Sequence, residues 1–250
     1  MKVKAMYFVA LIAVALLAIS VPVQASKTDD RIEASAKESH VFKTYLKGDD
    51  IKVKAKDGAV TLTGTVAEES HKSLAGETVA SLPEVKSVDN KLAVKGERPA
   101  DKSDAWLSTK VKTTLLFHRH VSAMTKVETK DGIVTLKGEA PNQAQKDLTT
   151  EYAKDVEGVK DVKNEMTVAK SAEATRTTGD KIDDASITAL VKMSLLYHRS
   201  TSGLKTSVST KDGVVTLTGK ASSAAALDLA TKFANDVNGV KSVNNQMTIK

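Results

Sequence analysis

The sequence predicts an α+β protein: three tandem small αββαβ domains, each a three-stranded mixed sheet with two helices packed on one face. Three observations predict this. A nine-residue stretch occurs three times, as Lys56-Asp57-Gly58-Ala59-Val60-Thr61-Leu62-Thr63-Gly64, Lys130-Asp131-Gly132-Ile133-Val134-Thr135-Leu136-Lys137-Gly138 and Lys211-Asp212-Gly213-Val214-Val215-Thr216-Leu217-Thr218-Gly219. A Val-Lys-x-Val motif follows each copy at one fixed spacing, 27 residues from Gly58 to Val85, Gly132 to Val159 and Gly213 to Val240. Two motifs held at one separation three times over are the mark of a tandem repeat. Finally, apolar residues recur at helical spacing ahead of each hairpin and again between it and the last strand.

The chain opens with an address rather than a fold. Lys2 and Lys4 precede an apolar run from Tyr7 to Ile19, Pro22 breaks it, and Val23-Gln24-Ala25 offers a small-residue cleavage site before Ser26. Residues 1–25 therefore read as a cleaved secretion signal. The competing reading is a retained anchor, but the run is short of the roughly 20 residues a spanning helix needs. The site has no cysteine, so the protein is not expected to be a lipoprotein.

Unit one spans 28–95, unit two 103–170 and unit three 183–250. Each begins with acidic residues where a helix N-terminus prefers them: Asp29 and Asp30, Asp104, and Asp183 with Asp184. The first helix then shows an apolar stripe, through Ile32 and Ala36 in unit one, Leu107, Val111, Leu115 and Leu116 in unit two, and Ile187, Leu190, Val191, Leu195 and Leu196 in unit three. Phe42, Phe117 and Tyr197 lie near its ends. An alternating strand follows, with Ile51, Val53 and Ala55 facing one way and Lys52, Lys54 and Lys56 the other. Asp-Gly turns this strand into the next, since Gly accepts a positive φ, and the closing Gly is expected to break the second strand.

The second helix is expected over about 68–82, 141–156 and 222–237, with Pro141 at a first helical position. The Val-Lys-x-Val strand closes each unit. Asn90, Asn164 and Asn245 fall on its inward side, where an amide needs partners; they read as pins of the strand entry or a bulge, with a binding role as the alternative. The linkers are 96–102, containing Pro99, and 171–181, rich in Ser, Thr and Ala.

Units of about 68 residues sit near the lower limit for independent folding, so each is expected to gain from packing on its neighbours. With no cysteine there is no disulfide framework and no thiol chemistry. The formal net charge of +6 is unevenly placed. Basic and acidic residues number 11 and 12 in unit one, 11 and 10 in unit two, and 8 and 5 in unit three. No unit has a basic footprint interleaved with aromatics, which argues against nucleic acid as a partner.

The Asp-Gly-x-Val-x-Leu-x-Gly hairpin and the Val-x-x-Val-x-Asn-x-(Leu/Met) strand resemble those of the BON domain, the bacterial OsmY and nodulation module. The resemblance covers almost all of the chain beyond residue 27. It implies a periplasmic envelope protein of Gram-negative bacteria, linked to osmotic stress and envelope integrity. It further implies contact with anionic phospholipid surfaces or chaperone-like activity, and no defined catalytic residues. The osmotically inducible periplasmic members that the chain resembles typically carry two copies, so the third is a departure.

The residues offer little chemistry. No nucleophile sits in a recognisable pairing with a base, no Gly-rich phosphate loop is present, and no cofactor is expected. His118 and His120 could converge, and His198 is the repeat equivalent of His118, but no Cys or carboxylate completes the three or four ligands of a zinc site. The expectation is therefore no metal and no enzyme. The candidate site is a surface at the end of the first helices: Lys112, Phe117, His118, Arg119 and Lys126 in unit two, with Lys192, Tyr197, His198, Arg199 and Lys205 in unit three. An amphipathic helix end with a cationic rim suits peripheral association with an anionic phospholipid headgroup layer. The competing structural reading is that Leu-Leu-aromatic is core. The competing function is a chaperone-like protein that holds unfolded outer-membrane or secreted clients by strand addition at sheet edges. Either way the array is expected to be adhesive, without a pocket shared between its copies.

Overall fold

In the computed structural model, residues 27–96, 103–119, 121, 125–169 and 182–250 are described. Residues 1–25, read above as a secretion signal, the linker residues 97–102 and 171–181, and His120 lie outside them.

Each unit is built around its Asp-Gly hairpin. In unit one, β1 (Asp50–Lys56) pairs antiparallel with β2 (Ala59–Val66), with Val53 opposite Leu62 and Lys54 opposite Thr61. Asp57 and Gly58 both have positive φ, at 54° and 82°, the geometry that matches a two-residue turn to the twist of its strands. The turn is held from outside the sheet. The Asp29 carboxylate accepts from the Asp57 and Gly58 amides at 2.9 and 3.0 Å, Asp104 accepts from Asp131 and Gly132 at 2.7 and 2.9 Å, and Asp184 from Asp212 and Gly213 at 2.7 and 2.8 Å. The acidic start of each first helix thus clamps a hairpin, which the helix dipole alone did not foretell.

Helix α1 (Lys27–Glu38) precedes β1, and a short α2 (His40–Thr44) starts after a break at Ser39, whose hydroxyl caps it. Helix α3 (Glu69–Ala80) leads from β2 to β3 (Ser87–Asn90), which pairs parallel with β2, and a two-residue β4 (Ala93–Val94) pairs with the far end of β2. The sheet order is β1-β2-β3, mixed as expected, but the closing strand is divided into two pieces. The division falls at Asn90. Its amide donates to the Lys72 carbonyl at 2.8 Å, and its side-chain oxygen accepts from the Leu92 amide at 3.3 Å. Asn164 and Asn245 repeat this and add a bond to Thr150 and Thr231 at 2.7 Å. The asparagine ties the broken strand to the second helix, a structural duty.

Unit two repeats the order with α4 (Asp104–Phe117), β5 (Lys126–Lys130), β6 (Ile133–Lys137), β7 (Glu139–Ala140), α5 (Gln143–Lys154), β8 (Asp161–Asn164) and β9 (Thr167–Val168). Unit three has α6 (Asp184–Tyr197), a short α7 (Arg199–Ser202), β10 (Lys205–Lys211), β11 (Val214–Ala221), α8 (Ala224–Asn235), β12 (Ser242–Asn245) and β13 (Thr248–Ile249). Pro141 precedes the helix rather than starting it, because Asn142 caps the Gln145 amide at 2.9 Å. The closing Gly does not end the strand in units one and three. Gly64 and Gly219, at φ 121° and 130°, lie inside β2 and β11, where a β-carbon would stand 2.0 Å from the Asp50 or Lys205 carbonyl oxygen. These glycines kink the ladder at a close backbone approach. Only in unit two does the strand stop, at Gly138.

The inward strand residues Val53, Val60 and Leu62 are buried with Ile32, Leu74 and Leu92, and the equivalent sets pack likewise in the other units, with Val127, Leu148 and Leu229 only half-buried. The outward faces remain open. The three units pack on one another: α6 is buried nearly all round, with Ile187, Leu190, Val191 and Met193 each at most 1% exposed. Unit one docks on its start, where the His40 amide donates to Asp183 at 2.7 Å and the Val41 amide to the Ser186 hydroxyl at 3.0 Å.

Candidate functional site

The ends of the first helices in units two and three are largely covered, although Leu116 and Leu196 stay exposed. Each runs into the end of the other unit's second helix. His118 forms a bridge with Val237, and Val156 forms the same bridge with His198. The Arg119 amide donates to the Asp236 carbonyl at 2.9 Å, and the Arg199 amide to the Asp155 carbonyl at 2.7 Å. The contact is isologous: what unit two does to unit three, unit three does to unit two.

Two imidazoles lie at its centre. His118 Nε2 and His198 Nε2 are 2.9 Å apart, and the residues are 1% and 0% exposed. One nitrogen must donate and the other accept, so a single proton lies between them. On the far side, His118 Nδ1 meets Asp236 Oδ2 at 3.0 Å, a bond in which a carboxylate can only accept. His198 Nδ1 lies 3.2 Å from Asp155 Oδ2 in a misaligned ion-pair contact. The rings are sandwiched by aromatics, His118 on Tyr152 at 3.8 Å and His198 on Phe233 at 4.0 Å.

The two halves differ in one hydroxyl. Tyr152 donates to Asp236 Oδ2 at 2.6 Å, whereas its counterpart Phe233 has nothing to donate. Asp155 is served instead by the Ser200 hydroxyl at 2.5 Å. Burial pushes the Tyr152 phenol up, and its bond to the Asp236 carboxylate pushes it further. Burial alone would raise Asp155, but the His198 imidazole and Ser200 outweigh it and hold the carboxyl below its usual value.

These positions correct the sequence reading. The sequence places Phe117, His118 and His198 at a lipid surface, but His118 and His198 are buried in the seam, where two repeats cover each other's helix ends, and Phe117 is buried against aromatics of the other two units. Arg119 and Arg199 keep exposed stems, but their guanidinium groups are spent on carbonyls. Arg119 donates to Val237 and Val240 at 2.8 and 2.7 Å, and Arg199 to Lys154 at 3.0 Å. Arg199 thereby caps the C-terminus of α5, where a cation is favoured, and Arg119 holds the segment that follows α8. Lys192 pairs with Glu77 of unit one at 2.9 Å. Tyr197 is half-buried and stacks on Phe117 at 6.5 Å; Tyr45 closes on Phe117 at 5.9 Å, so one aromatic from each unit meets there, with Tyr45 in place of Phe42. Lys112, Lys126 and Lys205 remain exposed, the last two on strands. The ten residues therefore do not form one patch.

The expectation of no shared pocket is also corrected. A cavity of about 670 Å³ lies where the three units meet, walled by Glu68, Trp106 and Tyr197 among others. No group of three or more potential metal ligands is found among the described residues.

Three α+β repeats of this kind, with a clamped Asp-Gly hairpin and an asparagine-pinned broken strand, define the class: the chain belongs to the BON domain family, whose model matches residues 28–96, 103–170 and 183–250. Among known proteins it is similar to the Osmotically-inducible protein Y of Escherichia coli (strain K12), 35% identical over 143 residues, which cover 55% of this chain and 71% of that protein. Among solved structures it aligns with CdsD, a structural protein of the Type III secretion system of Chlamydia trachomatis, at 16% identity and a TM-score of 0.24, covering 88% of this chain and 90% of that one. The PrgH periplasmic domain aligns at 10% identity and a TM-score of 0.21, covering 82% and 97%. Scores this low carry no functional argument.

Proposed function

We propose that this is a non-enzymatic, exported periplasmic protein of the osmotic-stress response that associates peripherally with anionic phospholipid through its open sheet faces. The observation that carries the reading is the outward face of unit three. It presents Lys205, Lys211 and Lys220 among Ser207, Ser209, Thr216 and Thr218, with no acidic side chain on β10, β11 or β12. Lys205 and Lys220 are direct cross-strand partners. Like charges opposite each other cost stability, a cost that an anionic surface removes. Kinship with an osmotically inducible protein supports the stress role, and the signal-like residues 1–25 support export.

Each lysine near an anionic leaflet contributes about 1 kcal/mol. Lys205→Glu, Lys211→Glu and Lys220→Glu together should weaken co-sedimentation with phosphatidylglycerol vesicles about a hundredfold or more at low salt. Equal pelleting of parent and triple variant overturns the reading. The chaperone alternative has weaker support. The edge strand β1 carries Lys52, Lys54 and Lys56, and the opposite edges are broken at Asn90, Asn164 and Asn245, both features that discourage strand addition. Suppression of client aggregation by the triple variant, with vesicle binding lost, would favour it.

A further inference from the structure

The cavity at the junction of the three units has a chemistry of its own. Its volume, about 670 Å³, lies within the 300–1,000 Å³ range of small-molecule sites. Unit one supplies Glu68 and Glu69, unit two Trp106, Lys110 and Glu157, and unit three Leu196 and Tyr197. No single unit makes this site.

The wall carries carboxylates at Glu68, Glu69 and Glu157 against ammonium groups at Lys95 and Lys110. One acidic position is already answered. Lys110 lays its ammonium over the Trp106 ring, 4.6 Å from the centroid, and 3.6 Å from Glu157. The chain there holds an alkylammonium of its own between an aromatic face and a carboxylate. The second acidic position again sets carboxylates in one wall with an aromatic ring, and Lys95 in that wall forms no ion pair with them among the described residues. Glu68, Glu69 and Tyr197 line the same cavity, and the Tyr197 phenol is pushed up to about 12 by burial and by the field of those two carboxylates. Neither glutamate has an ion-pair partner among the described residues, and Glu68 accepts a neutral hydrogen bond from the Ser70 hydroxyl at 3.2 Å. Leu196, 53% exposed, offers an apolar wall beside them.

We propose that this cavity binds an organic ammonium ion, its cationic head between Glu68, Glu69 and Tyr197 and its alkyl body along Leu196 toward Trp106. A purely inorganic cation would leave the apolar wall unused. A neutral alcohol could donate a hydrogen bond but would leave the charge of the carboxylates uncompensated.

Trp106 is the only tryptophan of the chain, so its emission reports on the cavity directly. The full chain is titrated with n-butylammonium chloride, and with sodium chloride and 1-butanol as matched controls. The expected result is a saturable change in emission with butylammonium alone, together with a raised Tm. Loss of a charge-assisted contact weakens binding by about tenfold or more, and Glu68→Gln with Glu69→Gln should show that loss while keeping the parent's circular dichroism. The proposal is overturned by a response linear in concentration, by one that sodium chloride reproduces at equal ionic strength, or by one the double variant retains. Vesicle binding should be unaffected in that variant, so this site and the lipid reading stand or fall separately.

Discussion

Asp236 is where the seam between units two and three is most exposed to attack by mutation. One of its carboxylate oxygens accepts from His118 at 3.0 Å and from the Tyr152 hydroxyl at 2.6 Å. Both donors belong to unit two and both are buried, Tyr152 at 3% exposure and His118 at 1%. Asp236→Ala strands them together. A buried donor left without a partner costs about 1–3 kcal/mol, so the variant should lose about 4 kcal/mol. Tyr152→Phe removes one donor and leaves the carboxylate with the other; Phe233 shows that the bare ring fits the equivalent place. Its expected cost is about 1.5 kcal/mol. In the double variant no hydroxyl remains to be stranded, so the two losses should not add, and the coupling should be about 1–2 kcal/mol. Urea unfolding, followed by far-ultraviolet circular dichroism and by Trp106 emission, measures all four corners of the cycle. Two results refute the seam as described: losses that add within about 0.5 kcal/mol, or a loss below about 1 kcal/mol for Asp236→Ala.

Two further outcomes are expected. Asp184→Ala removes both bonds that hold the Asp212-Gly213 turn, at 2.7 and 2.8 Å, and should cost about 2–3 kcal/mol, with Asp184→Asn costing less because one acceptor survives; thermal melts of the three proteins check the ranking. Alkaline titration at 295 nm, on the chain without residues 1–25, should show no tyrosine ionising at its ordinary value in the native state. Tyr45 is raised by burial, Tyr152 by burial and Asp236, and Tyr197 is pushed up to about 12 by burial and by Glu69 and Glu68. A raised phenol favours the folded state below the unfolded value near 10, and that advantage is lost as pH rises toward 12. Stability should therefore fall across that interval, and a normal phenol near pH 10 in the folded protein would contradict the packing of all three rings.

The hairpin, the parallel third strand and the second helix were legible in the sequence because each is specified locally. Alternation sets the inward face, Asp-Gly sets the turn, and the repeat confirms both three times. The break at Asn90, Asn164 and Asn245 was half legible: a polar side chain on an inward strand position needs a partner, but which carbonyl answers it depends on the helix packed above. The seam was not legible from any one unit, since periodicity shows that a helix face is apolar and not what covers it. A signal did exist. α6 carries a single charged residue, Lys192, between Asp184 and Tyr197, and a helix without a polar face is a buried helix. Likewise His-Arg at 118–119 and 198–199 goes with Asp-Val at 155–156 and 236–237, while unit one has Val41-Phe42-Lys43 and Ser81-Leu82 and so lacks both halves.

That joint absence explains how three copies form one body rather than an open row. An isologous contact consumes the same surface on both partners, so once units two and three have exchanged His118 and His198 for Asp236 and Asp155, neither has such a surface left to offer. A third copy with the same pair of halves would compete for the seam. Unit one carries neither, and it holds on by other means: backbone amides at His40 and Val41 on Asp183 and Ser186, Glu77 on Lys192, and Tyr45 against Phe117. Its different attachment also opens the space between α3, α4 and α6 that the cavity occupies. The copy that lacks the seam residues is therefore the copy that completes the cavity.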